Sequence, residues 1–125
     1  VMHANVLGAM QVIPQVAPRV AEAGGRFGFI SSQMGCIGQV HSSFGWTYRV
    51  SKAALNMAVG AASHDYPGAV LLVLSPGWVR TDMGGPSAPL TVQDSVAAMR
   101  RTLGTAGPGQ SGAFLNYDGH PFESW

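Results

Sequence analysis

The chain has 125 residues, of which 46% are apolar and 10% are charged, well below the roughly 25% charge of typical soluble domains. This length allows one domain, and this composition predicts a packed core rather than disorder. A net charge of +1 and scattered arginines argue against nucleic acid as a partner. The chain has no apolar run of about 18 residues, which argues against a membrane, and its single cysteine, Cys36, argues against a metal. The lone cysteine fits a reducing, cytoplasmic location.

The first half of the chain predicts a helix, a strand and a loop. Apolar residues at three- and four-residue spacing predict a helix from about Met2 to Ala23, which Gly24 and Gly25 end. Pro14 and Pro18 predict a kink or a break within that helix. A short buried strand is expected over 26–31, and a glycine- and serine-containing loop over 35–47.

The second half alternates in the same way. A helix is expected over 48–63, and the continuous apolar run Ala69–Leu74 is typical of a strand that is covered on both faces in a parallel sheet. After a loop, Thr91 and Asp94 resemble a capping box at the start of a third helix. The apolar stripe expected on that helix consists of Val92, Val96, Met99 and Leu103. A last strand is expected over 113–117, before an irregular tail.

This alternation predicts an α/β fold, with about three parallel strands and helices on both faces of the sheet. Sheets of this kind bind ligands beyond the carboxyl ends of their strands. Ser31 and Ser32 follow the first predicted strand, and Pro76, Gly77 and Thr81 follow the second. These residues are therefore the first candidates for a site.

Tyr48 and Lys52 are four residues apart and so share one face of the second helix, and Lys52 is the only lysine in the chain. A phenol has a pKa near 10, and an ammonium about 4 Å away stabilises the phenolate by about 4 kcal/mol at an effective dielectric near 20. A tyrosine followed four residues later by a lysine can therefore act as a general acid. The alternative is an ordinary surface pair on an exposed helix.

Three further motifs surround this pair in order: Asn5-Val6-Leu7-Gly8, Ser32-Gln33-Met34-Gly35 and Pro76-Gly77-Trp78-Val79-Arg80-Thr81. Together with Tyr48 and Lys52 they resemble the short-chain dehydrogenase/reductase family. The stretches 81–86 and 114–119 are similar to its C-factor and Sniffer-like carbonyl reductases. The resemblance implies the C-terminal half of a doubly wound, Rossmann-type sheet, with residues 1–125 forming a partial NAD(P)-binding domain.

The resemblance also implies roles for individual residues. Tyr48 would protonate a carbonyl oxygen, and Ser32 would hydrogen-bond to the same oxygen. Lys52 would act on the tyrosine and hold the nicotinamide ribose, while Asn5 would hold a water that relays protons to Lys52, unless it is only a polar surface residue. The cofactor, NADP(H) rather than NAD(H), would also contact Pro76, Gly77, Val79 and Thr81. The implied reaction is hydride transfer to a small carbonyl substrate, or from the corresponding alcohol.

The phosphate-binding glycine loop of the family is not found, since the spacing in Gly104–Gly109 is wrong and this stretch follows a helix. We therefore expect the N-terminal dinucleotide-binding half to lie outside these 125 residues, and the chain alone neither to bind the dinucleotide usefully nor to turn over. The alternative function is a non-catalytic fragment that acts as a packing partner. The resemblance implies a homo-oligomer formed through the helices that hold Asn5 and Tyr48.

Four other residues leave their roles open. Cys36, in the loop before Tyr48, either borders a substrate pocket or is a small packed side chain. Phe44, Trp46 and Trp78 form either an apolar wall for a substrate or part of a core or interface.

Overall fold

The computed structural model describes residues 2–125 and contains three helices and three strands in alternation. A π-helical turn, His3–Leu7, leads directly into the first helix. The helices are α1 (Gly8–Glu22), α2 (Trp46–Ala62) and α3 (Val92–Thr105), and the strands are β1 (Arg26–Ile30), β2 (Val70–Ser75) and β3 (Phe114–Asn116). Short 3₁₀ turns lie at Gln33–Gly35, Ile37–Gln39, Ser63–Asp65 and Pro108–Gln110. The predicted order of elements is confirmed, with ends that differ by a few residues.

The strands form one parallel sheet in the order β1-β2-β3. Arg26 to Ile30 of β1 pair with Val70 to Leu74 of β2, and β2 pairs with β3 from Val73 onward. Every residue of β2 is buried, as the continuous apolar run predicted. The α/β class with three parallel strands is therefore confirmed.

Helices cover both faces of this sheet. On one face, Ile13 of α1 and Val59 of α2 pack with Phe29, Leu71 and the rest of the larger core cluster. On the other face, Met99 and Leu103 of α3 pack with Leu72 and Leu74 of β2 and with Leu115 of β3. Alternate residues of β2 thus supply the two cores, as expected for a strand between two helical layers.

The predicted break at the prolines of the first helix is wrong, and the alternative, a kink, stays a prediction. The helix runs through Pro14 and Pro18 without interruption, and the irregular part is the preceding turn, where the Gly8 N–H donates to the carbonyl of His3. Both prolines lie on the exposed side of α1, while Ile13 and Ala17 are buried against the sheet. The packing of that buried face outweighs the loss of two backbone donors.

The predicted apolar stripe of the third helix is wrong in its first half. Val92 and Val96 are exposed, whereas Ser95, Ala98 and Thr102 are buried. The Ser95 hydroxyl donates to the Pro76 carbonyl at 2.6 Å, and the Thr102 hydroxyl donates to the Tyr117 carbonyl at 2.9 Å. These bonds satisfy carbonyls that follow β2 and β3, so polar residues occupy the inner face.

The irregular tail packs back on the sheet. The rings of Phe122 and Trp125 stack on Phe114 with centroid distances of 4.2 and 5.9 Å. Among the described residues, 2–125, no helix is long and apolar enough to cross a membrane.

Candidate active site

The end of β1 presents a serine hydroxyl. The Ser31 N–H donates to the Leu74 carbonyl at 2.7 Å and so continues the parallel ladder by one residue. Ser32 follows in an extended conformation, and its Oγ accepts a hydrogen bond from the Met34 N–H at 3.0 Å. Ser31 is buried and Ser32 is half-buried, so Ser32 has the more accessible hydroxyl, with its proton still available to donate.

Gly35 explains why a glycine follows the serine at this spacing. A Cβ on Gly35 would lie 2.8 Å from the Lys52 Cβ and 2.9 Å from the Lys52 carbonyl carbon. The turn after Ser32 therefore packs directly on the backbone of α2, at the residue that carries the lysine. Only a residue without a side chain allows this approach.

Tyr48 and Lys52 lie together on α2, as their spacing predicted. The Lys52 Nζ is 5.6 Å from the centroid of the Tyr48 ring. Lys52 is 9% exposed and Tyr48 is half-buried, so the ammonium lies inside the protein beside an accessible phenol. This arrangement differs from a surface pair, in which both side chains are solvated.

The Lys52 ammonium is held by a backbone carbonyl. Its Nζ donates to the Ile30 carbonyl at 3.2 Å, at the last residue of β1, and within residues 2–125 no carboxylate forms an ion pair with it. Burial lowers the pKa of Lys52, since removal from water disfavours the charged form. The ammonium has three N–H donors, so two remain for other acceptors.

Asn5 lies near this group without contacting it directly. Its Nδ2 donates to the Ser51 Oγ at 3.1 Å, and that hydroxyl donates to the Tyr48 carbonyl at 2.7 Å. Asn5 and Lys52 both border a cleft of about 450 Å³ between α1, α2 and β1. The structure thus ties Asn5 to α2 through Ser51, and the water relay to Lys52 stays a prediction.

The segment after β2 carries the remaining predicted residues. Pro76 is anchored by Ser95, and Gly77 has φ +81°, with Leu90 only 2.5 Å from where a Cβ would lie. A turn with this geometry requires glycine.

Beyond that turn the segment folds on itself. Val79 forms an isolated β-bridge with Leu90, and the Thr81 Oγ1 accepts a hydrogen bond from the Gly84 N–H at 3.1 Å. Since β1 and β2 are parallel neighbours, this segment and Ser32 leave the same edge of the sheet. Within residues 2–125 no side-chain hydrogen bond joins the segment to Tyr48 or Lys52.

One residue of this region was missed by the sequence analysis. Asn56 is buried one helical turn beyond Lys52, and its Oδ1 accepts a hydrogen bond from the Ser31 Oγ at 2.6 Å. The signal in the sequence was a polar residue that continues the four-residue spacing of Tyr48 and Lys52.

The side chains whose roles were left open divide into packed and exposed groups. Cys36 is fully buried, with its Sγ 3.1 Å from the Ser124 carbonyl, so it is a packed side chain. Phe44, Trp46 and Trp78 are 78%, 74% and 59% exposed and belong to neither core cluster. In the part of the chain that the structure describes, no three His, Cys, Asp or Glu side chains lie together as metal ligands would.

No family model matches the chain. It is 41% identical over 118 residues to C-signal of Myxococcus xanthus, covering 92% of this chain and 71% of that protein. It is also similar to the solved structure of carbonyl reductase Sniffer of D. melanogaster, with a TM-score of 0.88, 34% identity and coverage of 99% of this chain and 55% of that one. A carbonyl reductase from Pseudomonas aeruginosa PAO1 in complex with NADP matches with a TM-score of 0.82, 34% identity and coverage of 100% and 54%. The chain thus spans about half the length of these two solved relatives.

Proposed function

The chain belongs to the short-chain dehydrogenase/reductase family, and we propose that it is the catalytic half of an NADP(H)-dependent oxidoreductase that reduces a small carbonyl substrate. The observation that carries the proposal is the buried Lys52 ammonium 5.6 Å from the ring of the half-buried Tyr48, at the strand end that presents Ser32. A phenol, an ammonium and a hydroxyl at one edge of a parallel sheet support the proposal.

In the proposed reaction these residues act on the carbonyl oxygen of the substrate or on the Tyr48 phenol that protonates it. Tyr48 donates its phenolic proton to the carbonyl oxygen of the substrate, and Ser32 donates a hydrogen bond to the same oxygen as negative charge develops there. Lys52 stabilises the phenolate that Tyr48 becomes. Asn5, fixed through Ser51, holds the water through which the proton is replaced.

The residues present fit the nicotinamide end of the cofactor. Lys52 keeps two free N–H donors, and the Thr81 Oγ1 accepts from Gly84, so its own O–H proton is free to donate. Lys52, Tyr48 and the segment with Pro76, Gly77, Val79 and Thr81 would hold that end, which supplies the hydride when bound. The preference for NADP(H) over NAD(H) is supported by the complex of the Pseudomonas relative with NADP.

The proposal includes further strands of the sheet beyond β1. Within residues 2–125 no strand pairs with the outer edge of β1. Ile30 is 53% exposed, and the 450 Å³ cleft beside it is lined by apolar side chains such as Val12 and Phe27. Residues 1–125 are therefore proposed to be one part of a larger domain, in which a further parallel strand and a dinucleotide-binding half complete the sheet.

A second candidate function rests on exposed apolar side chains of two helices. Met10 of α1 is 52% exposed, and Trp46 and Met57 of α2 are 74% and 70% exposed. Apolar side chains exposed on adjacent elements mark an interaction surface. The chain could thus act as a non-catalytic packing partner of an intact relative; in a catalytic protein the same two helices would form a homo-oligomer.

The proposed activity is tested by NADPH consumption. We expect the native gene product that carries these residues to oxidise NADPH in the presence of small ketones or aldehydes. The isolated 125-residue chain is expected to show neither turnover nor a micromolar Kd for NADPH. If neither NADPH nor NADH is consumed with any carbonyl compound of a broad panel, the proposed oxidoreductase activity is overturned. A micromolar Kd for the isolated chain would overturn the partial-domain proposal.

The two candidate functions are separated by sizing the isolated chain with and without an intact relative. A mixed complex, together with no turnover by the native gene product, would favour the packing partner. Turnover by the native gene product favours the enzyme.

A further inference from the structure

A hydrogen bond in the interior joins the two elements that carry the proposed site. The Ser31 Oγ donates to the Asn56 Oδ1 at 2.6 Å, and the two residues are 3% and 2% exposed. Ser31 directly precedes Ser32, and its N–H is fixed to the Leu74 carbonyl of β2. The bond therefore holds the backbone from which the Ser32 hydroxyl projects.

The acceptor of this bond lies in line with the proposed proton donor. Tyr48, Lys52 and Asn56 are spaced by four residues on α2, so they lie on one helix face. The bond to Asn56 thus fixes the position of the end of β1 along the axis of α2, relative to Tyr48 on the same helix face.

A second side-chain bond between these elements is the one from the Lys52 Nζ to the Ile30 carbonyl at 3.2 Å. In the proposed function Lys52 also serves the ribose and the phenolate, so this bond is free to lengthen during the reaction. The bond between Ser31 and Asn56 involves no group of that reaction and can stay constant throughout.

The side-chain amide of Asn56 satisfies only one of its two polar atoms. Its Nδ2 is buried and donates to no acceptor among the protein atoms of residues 2–125. Leaving a buried donor without an acceptor is unfavourable, whereas apolar groups at both positions can be nearly neutral. This cost favours a role in geometry for the pair.

We infer that Asn56 is a positioning residue: by accepting the hydrogen bond of Ser31, it sets the distance between the Ser32 hydroxyl and the Tyr48 phenol. The inference rests on the proposed function, because it assigns Ser32 and Tyr48 to the same substrate oxygen. A misplacement of one donor by about 1 Å can lower a rate about 100-fold.

The test compares Asn56→Leu, Ser31→Ala and the double variant in the native gene product. Each single variant is expected to lower kcat about 10- to 100-fold, with KM for NADPH unchanged within about twofold. The double variant is expected to be no worse than the poorer single variant, because both changes remove one bond.

The matched control is Thr102→Val. The Thr102 hydroxyl also donates a hydrogen bond, partly buried, to the Tyr117 carbonyl at 2.9 Å, on the face of the sheet that α3 covers. Its loss is expected to lower the melting temperature and leave kcat unchanged. If Asn56→Leu and Ser31→Ala behave in the same way, the pair is only structural and the inference is overturned.

Tyr48→Phe separates this failure from failure of the proposed function. Loss of turnover in Tyr48→Phe, with wild-type kcat in Asn56→Leu and Ser31→Ala, contradicts the positioning role alone. Full turnover in Tyr48→Phe overturns the proposed function, and the positioning role with it. Should Asn56→Leu fail to fold, the smaller change Ser31→Ala still decides the question.

Discussion

The two strand ends that form the candidate site are held in different ways. After β1, the chain packs at once on α2: Gly35 contacts the backbone at Lys52, and the buried Ser31 is bonded to Asn56. These contacts are inside the protein and leave little room for adjustment.

After β2, the start of the connection is fixed at Pro76, which Ser95 anchors, and at Gly77. Beyond it the segment is held largely by hydrogen bonds within itself, such as the one from the Gly84 N–H to Thr81. Trp78 and Met83 are 59% and 87% exposed. Exposed backbone bonds and few buried contacts are features of regions that open locally.

This difference corresponds to two tasks. The strand end that carries Ser32 is held by buried contacts, while the segment proposed to contact the cofactor can rearrange around it. Substitutions at the two strand ends test whether the two regions differ in this way.

Gly35→Val is expected to be the most damaging change. Its side chain would overlap the backbone of α2 at Lys52, where even a Cβ lies within 2.8 Å. We expect a loss of about 3 kcal/mol or more in the free energy of unfolding, measured by urea denaturation. The control is Gly104→Ala in α3, where nothing lies within 4 Å of the new Cβ and a gain of about 0.5–1 kcal/mol is expected. Equal stabilities of the two variants would show that the first strand end is not tightly packed.

Thr81→Ala tests the other strand end and is expected to have a small effect on stability. The hydroxyl serves an exposed bond to the Gly84 N–H, so its removal should cost less than about 1 kcal/mol in the free energy of unfolding. In the native gene product the same variant should raise KM for NADPH. A loss of stability as large as that of Gly35→Val would contradict the contrast between the two regions.

Lys52→Met is expected to change how stability depends on pH. Burial lowers the pKa of Lys52 below its usual 10.5, so between the lowered value and 10.5 the unfolded state binds more protons than the folded state. Stability from this residue therefore rises with pH in that window, and Lys52→Met should remove the rise. Urea denaturation at several alkaline pH values measures it. An unchanged slope in the variant would show that the ammonium is fully solvated.

The sequence predicted the elements that have a strong local signal. The continuous apolar run of Ala69–Leu74 is typical of a buried strand, and all of it except Ala69 lies in the fully buried β2. The buried face of the third helix was harder to predict, because Ser95 and Thr102 turn inward and donate hydrogen bonds to carbonyls of other segments. The proline break failed for a related reason: packing against the sheet overrides a local preference, and such packing is not visible in a single helix.

In the candidate site, too, features within one helix could be predicted from the sequence, and contacts between elements could not. The pairing of Tyr48 with Lys52 follows from helix geometry alone, so four residues of spacing sufficed to predict it. That Asn5 is bonded to Ser51, and Ser31 to Asn56, depends on how α1, β1 and α2 meet. Contacts between elements that are far apart in the chain carry no local pattern.

The most direct test of the central claim is the turnover of Tyr48→Phe in the native gene product, compared with Tyr66→Phe. Both variants lose one phenolic hydroxyl from a half-buried tyrosine, but only Tyr48 lies beside the Lys52 ammonium. Since general acid catalysis contributes about 10²- to 10⁴-fold, we expect Tyr48→Phe to lower kcat by at least about 100-fold and Tyr66→Phe to leave it near the wild-type value. Wild-type turnover in Tyr48→Phe would contradict the assignment of the proton donor and the reaction built on it.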